Sequence, residues 1–242
     1  MIELILLGLI YPLMILVAAY FLYGGKLWRG RGGWVFVGVG YMLLAILVQI
    51  PIQEIPTIIT IIRSGIIGIM EAERSGGLII AIYAGSVAGL SQEIAKFFAV
   101  KDREPTASLW VGYGFAIIDV ATIIASILAT LVTAPGAPLQ LISLIGLLLN
   151  PMVSMIFHPG TAMFLRYSQG LGTSIRGLIM AILAHAYIDS YAAALNYLAA
   201  FSVVSQSYLY GLTTVMWSTA LSISIIFLII GNRGVRGIGS GH

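Results

Sequence analysis

Cysteine is absent from the 242 residues, which excludes disulfides, thiolate metal centres and cysteine nucleophiles. Charge is nearly absent too. Asp, Glu, Lys and Arg make up 9% of the chain, while 60% is hydrophobic; a soluble domain carries about 25% charged residues. A chain this apolar cannot cover itself with polar surface, so the lipid bilayer must be its solvent. The formal net charge is only +3. The basic residues sit in short connections, so they read as topology determinants and not as a nucleic-acid surface. Internal repeats, linkers and low-complexity segments are lacking. So is a basic leader: Glu3 stands where one would begin, and the apolar run through Tyr23 is long enough to span, so the N-terminus reads as a first span.

What is present is a series of apolar runs of spanning length. Seven are expected, at about 2–23, 34–53, 78–100, 107–133, 139–165, 175–202 and 206–231. The fold class is therefore all-α, a polytopic transmembrane helix bundle forming one domain over 1–232, followed by a short cytoplasmic tail at 233–242 whose last part, 237–242, is expected to be flexible. Residues 54–77 are apolar in the middle but hold Arg63 and end in Glu71-Ala72-Glu73-Arg74. They read as an amphipathic helix lying at the interface, with a short or re-entrant span as the alternative. Seven spans place Lys26, Arg29, Arg31, Lys101, Arg103, Arg166, Arg176, Arg233 and Arg236 on one side. By the positive-inside rule that side is cytoplasmic, which puts the N-terminus out and the C-terminus in. A multi-pass protein of the cell membrane is the expectation.

Six ionisable residues lie well inside these runs, away from their ends: Glu93 and Lys96, Asp119, His158, and His185 with Asp189. Ionisable groups in lipid are costly and usually face an interior cavity. Helical spacing gives each a seam. Ala81, Gly85, Gly89 and Glu93 recur every four residues, a small-residue stripe of the kind that lets helices approach closely. Gly112, Asp119, Thr122, Ser126 and Thr130 form a second seam, Asn150, Ser154, His158 and Thr161 a third, and Ala181, His185, Asp189 and Asn196 a fourth. All four are expected to face inward. Polar seams also serve simply to hold helices together in lipid, which accounts for the serines and threonines better than for the charges. Depth adds to the case. At 1.5 Å per residue, Glu93 and His158 lie about 12 Å from the basic ends of their helices, His185 about 15–16 Å, Asp119 about 18 Å and Asp189 about 22 Å. Alignment across helices of opposite direction implies one shared site in the cytoplasmic half.

Two imidazoles with two or three carboxylates can activate water and stabilise an oxyanion. The same residue types, His158, His185, Glu93 and Asp119, could hold a divalent metal such as zinc, although no His-x-x-x-His pair is present; water activation requires no metal. Glu93 and Lys96, at i and i+3, can pair on one helix face. Asp189, at i+4 from His185, can fix its tautomer. Pro159 should free a carbonyl near Met155, and a bend there is expected to open room for a substrate.

In that order these residues resemble a known pattern. Gln92-Glu93-Ile-Ala-Lys96 resembles the Glu-Glu-x-x-Lys/Arg motif of the intramembrane proteases related to CAAX prenyl proteases, PrsW and the YhfC group. Gly112-Tyr-Gly114-Phe115-Ala-Ile-Ile-Asp119 is similar to the second motif, Phe157-His158 to the third, and His185-Ala-Tyr-Ile-Asp189 to the fourth, His-x-x-x-Asp/Asn. The resemblance covers about 78–200, the motif-bearing core, and is nearest the YhfC group. It implies an intramembrane peptidase in which Glu93 and His158 activate water entering from the cytoplasmic side, and His185 with Asp189 stabilises the oxyanion. Asp119 would stand for a family glutamate, and the substrate would be a membrane-anchored peptide or protein. Gln92 departs from the pattern, since an amide cannot act as a general base. A non-catalytic relative serving as a subunit or scaffold of a membrane complex is thus one alternative, and a proton-coupled carrier another.

Overall fold

The computed structural model describes residues 6–24, 31–65, 67–133 and 141–239. One π-helical turn, Leu6–Ile10, leads into α1 (Tyr11–Leu22), then α2 (Gly32–Gln53), α3 (Ile55–Ser64), α4 (Ile67–Val100), α5 (Ala107–Thr133), α6 (Leu141–Gly170), α7 (Ser174–Ala200) and α8 (Gln206–Gly239). No strand occurs among the described residues. Among the described residues six stretches are long and apolar enough to cross a membrane, with Gly32–Ser64 counted as one, and Gly8–Leu22 is a shorter apolar helix. The protein is a polytopic all-α bundle.

Two expected boundaries change. Residues 54–77 do not form one interfacial helix. Only Glu54 separates α3 from α2, Gly65 turns the chain with a φ of +69°, and the remainder is the first part of α4. At 10 residues, α3 rises only about 15 Å, too little to span. It is amphipathic with its apolar side outward. Ile58, Ile59, Ile61 and Ile62 are exposed, while Gly68 of α4 lies against Thr60 and Ser64. At the other end of the chain, α8 runs to Gly239, so the expected tail is helical over 233–239; 240–242 lie outside the described residues, as do 139–140 of the fifth run.

Glycine sets the closest helix crossings. Gly85 and Gly89 of α4 lie on the backbone of α7 at Ser190, Ala186 and Ile182, and α4–α7 is the most extensive helix pair. A Cβ at either glycine would meet that backbone, so the expected small-residue stripe is a packing face. Gly112 of α5 lies on the His158 carbonyl and Pro159 of α6, Gly114 on Val35 of α2, and Gly160 of α6 on Leu228 of α8. The site described next thus sits where α4–α7 and α5–α6 meet. Among the described residues the backbones of α5 and α7 do not approach each other closely.

Pro159 removes the amide that would bond the Met155 carbonyl. The Tyr23 hydroxyl donates to that carbonyl instead, tying the end of α1 to the bend. The bend does not open room for a substrate: Pro159 and His158 are buried and Gly112 packs against them.

Candidate functional site

Glu93 anchors the site. Its side chain is fully buried, and Oε1 accepts from Lys96 Nζ at 2.5 Å, one helical turn away. The same Oε1 lies 2.7 Å from His185 Nδ1 on α7. Lys96 is also fully buried and donates to Thr161 Oγ1 of α6 at 2.8 Å. The rings of Phe115 and Phe157 flank the ammonium at 5.3 and 5.5 Å. A lysine in lipid therefore has a carboxylate, a hydroxyl and two π-faces as partners, which is what offsets its desolvation. His185 continues the chain: its Nε2 lies 3.4 Å from Asp189 Oδ2, on a side chain 35% exposed.

The second half of the site is on α5 and α6. His158 Nε2 lies 3.5 Å from Asp119 Oδ2, whose side chain is 28% exposed. Ser154 donates to the same oxygen. The rings of His158 and His185 meet edge to face, centroids 5.4 Å apart. Glu93, Lys96, Asp119, His158, His185 and Asp189 are therefore one cluster on four helices, as their depths predicted. Two of its buried atoms, Glu93 Oε2 and His158 Nδ1, lack a hydrogen-bond partner. Buried polar atoms normally have one, which sets these two apart from the rest of the cluster.

Gln92 is not part of this cluster. Its Nε2 donates to Gln49 Oε1 of α2 at 3.0 Å. Gln49 donates to Gln53 at 3.2 Å, and Gln53 to the Ala84 carbonyl at 2.7 Å. Successive residues differ by about 100° around a helix, so Gln92 and Glu93 cannot both face α7. The glutamine ladder clamps α2 to α4. Gln49 and Gln53 were missed by sequence reasoning, although two amides at i and i+4 in an apolar run were the signal.

Other expectations change as well. Thr122 and Ser126 are exposed, as is Asn196, so the second and fourth seams are covered only over part of their length. The side chain of Thr130 lies outside the described residues. Both nitrogens of His185 face carboxylates, so neither is directed at an oxyanion. Zinc does not fit this donor set: the Lys96 ammonium already holds the counter-ion position at Glu93, and among the described residues no three His, Asp or Glu side chains group as metal ligands.

The chain matches no model of a known protein family, no curated protein and no solved structure.

Proposed function

We propose that this protein is an intramembrane peptidase of the kind its motifs resemble, acting in the cell membrane on membrane-anchored peptides or proteins. The supporting observation is the convergence of Glu93, His158 and His185 from three tightly packed helices, with Glu93 Oε2 and His158 Nδ1 unpartnered. Glu93 takes the base role through Oε2, because Oε1 is held by Lys96 and His185. Water bound there gives its proton to Glu93 as its oxygen bonds to the peptide carbonyl carbon; the C–N bond then breaks and the proton passes to the leaving amine. The oxyanion falls to His158 Nδ1 or to the third N–H of Lys96, since an ammonium has three donors and two are used. Asp119 orients His158. Purified protein in liposomes with membrane-anchored peptides tests the reading. Cleavage lost in Glu93→Gln and His158→Ala supports it, and cleavage unchanged in either overturns the assignment.

A second reading has its own support. His185 links the fully buried Glu93 to the part-exposed Asp189, which is the form of a proton relay in a coupled carrier. Proton-dependent uptake into liposomes, abolished by Asp189→Asn, would favour that reading over hydrolysis. The scaffold alternative drew on Gln92, and a residue turned toward α2 bears on helix packing more than on the histidine pair.

A further inference from the structure

The two ends of the bundle differ in how well the site is covered. The connections bearing Lys101, Arg103, Arg166 and Arg176 lie together at one end. There Arg166 donates to the Arg103 carbonyl at 2.6 Å and Gln169 to the Phe97 carbonyl at 3.0 Å. Arg103 donates to the Ala99 carbonyl at 2.6 Å and stacks on Trp34. Beneath them Ala99, Val100, Val111, Phe115, Ala162 and Leu165 form a buried apolar layer. This layer separates Glu93 and Lys96 from the basic end.

At the opposite end several polar residues among those described are exposed. Thr122 and Ser126 share the face of α5 that carries Gly112 and Asp119, the face turned to α6. Both are exposed. Asn196 lies two turns past Asp189 on the same face of α7 and is exposed too. Asn150 of α6, between them in depth, is half-buried. Among the described residues the backbones of α5 and α7 do not approach closely, and the described inner-face residues beyond the level of the two aspartates are exposed or half-buried. Asp119 and Asp189 keep 28% and 35% of their side-chain surface. A part-exposed carboxylate in hydrocarbon is costly, whereas one in a hydrated cavity is not.

We infer that the site is reached from the end opposite the basic connections, through a hydrated crevice between the inner faces of α5 and α7, and that water and protons are what it admits. This reverses the route expected from the sequence. It stands whether the site hydrolyses peptides or relays protons, because it concerns access alone.

The absence of cysteine makes a direct test available. Single variants Thr122→Cys, Ser126→Cys and Asn196→Cys are exposed in oriented vesicles to a membrane-impermeant maleimide from each side in turn. Lys101→Cys reports the basic side, Ser205→Cys the opposite side, and Leu183→Cys, 64% exposed in the full chain, a lipid-facing position. The crevice variants should label from the Ser205→Cys side, about tenfold faster than Leu183→Cys, because a thiol in water forms the reactive thiolate and one in lipid does not. Denaturation in detergent afterwards confirms that every thiol is present. Labelling from the Lys101→Cys side, or at the Leu183→Cys rate, overturns the proposal. Three independent positions keep the test decisive if one variant fails to fold. Loss of peptidase activity has no bearing on the result, so the route and the chemistry fail separately.

Discussion

The α4–α7 half of the site and the α5–α6 half each pair a histidine with an aspartate, yet they use the pair differently. On α4–α7, His185 stands between Glu93 and Asp189, and Glu93 is already neutralised by Lys96. Every member faces an opposite or complementary group. On α5–α6, His158 faces one carboxylate through Nε2 and keeps Nδ1 unpartnered. Each half leaves one buried atom unpartnered, Glu93 Oε2 and His158 Nδ1, but only the first closes an ion pair on a buried lysine, and that pair favours a fixed geometry. Two like residue pairs one ring-contact apart thus differ as a frame and, under the peptidase reading, a working face.

Breaking the frame should have the largest effect. Glu93→Leu or Lys96→Met leaves one buried charge without its partner, which costs about 3–5 kcal/mol. The double variant removes both charges and should recover most of that loss, measured by thermal or denaturant unfolding in detergent. Asp119→Asn on the other half should cost only about 1–2 kcal/mol, since the carboxylate is part-exposed and makes no direct ion pair with a lysine. Equal losses at Glu93 and Asp119 would remove the distinction between frame and working face.

The histidines sharpen the contrast at a lower level. His185→Leu deprives Glu93 Oε1 of a buried partner and should destabilise by about 1–3 kcal/mol. His158→Gln should leave unfolding within about 1 kcal/mol of the parent, because only one ring nitrogen faces a partner. Under the peptidase reading, His158→Gln should nevertheless lower cleavage by about 10²–10⁴-fold, the usual range for a lost acid–base group. A variant that keeps stability and loses turnover separates the two halves. Paired unfolding curves and peptide-cleavage rates on the same preparations check it.

Gln92 tests which residue of the pair 92–93 belongs to the site. The glutamine ladder has a fixed direction, because it ends on the Ala84 carbonyl, which can only accept. Gln92→Glu sets a carboxylate oxygen against Gln49 Oε1, and flipping the amides moves the mismatch down to Ala84. The variant should lose about 1–3 kcal/mol and gain no cleavage. A gain of cleavage would return position 92 to the catalytic cluster and revive the reading of a degenerate family relative.

Much of this cluster was legible in the sequence because charged residues in an apolar chain have few places to go. Spacing gave the α4 packing stripe, the Glu93–Lys96 pair and the common depth of the polar groups. Facing was harder. Helical periodicity says that Thr122, Ser126 and Asn196 share a face with the site, but not where the neighbouring helix ends, so their exposure was not foreseen. The 54–77 segment failed for a related reason. Amphipathicity located the face of isoleucines on α3, and in lipid such a face can point outward as well as in. The pairing of Gln49 with Gln92 and of Tyr23 with Met155 joins residues 43 and 132 positions apart, which no local pattern encodes.

The smallest predicted effect concerns that last contact, which only the α5–α6 half possesses. Pro159 leaves the Met155 carbonyl without its helical amide, and Tyr23 supplies a hydroxyl in its place. Tyr23→Phe should cost about 0.6–2 kcal/mol, the range of interhelical hydrogen bonds in membranes. In a Pro159→Ala background the alanine amide can donate to the same carbonyl, so Tyr23→Phe should then cost less. A double-mutant cycle on unfolding isolates this coupling. If Tyr23→Phe costs the same in both backgrounds, the hydroxyl does not substitute for the missing amide. If the coupling appears, the bend that carries His158 is held by a contact from outside the four site helices. The working face would then be held at the bend by α1, whereas the frame is held by its own ion pair.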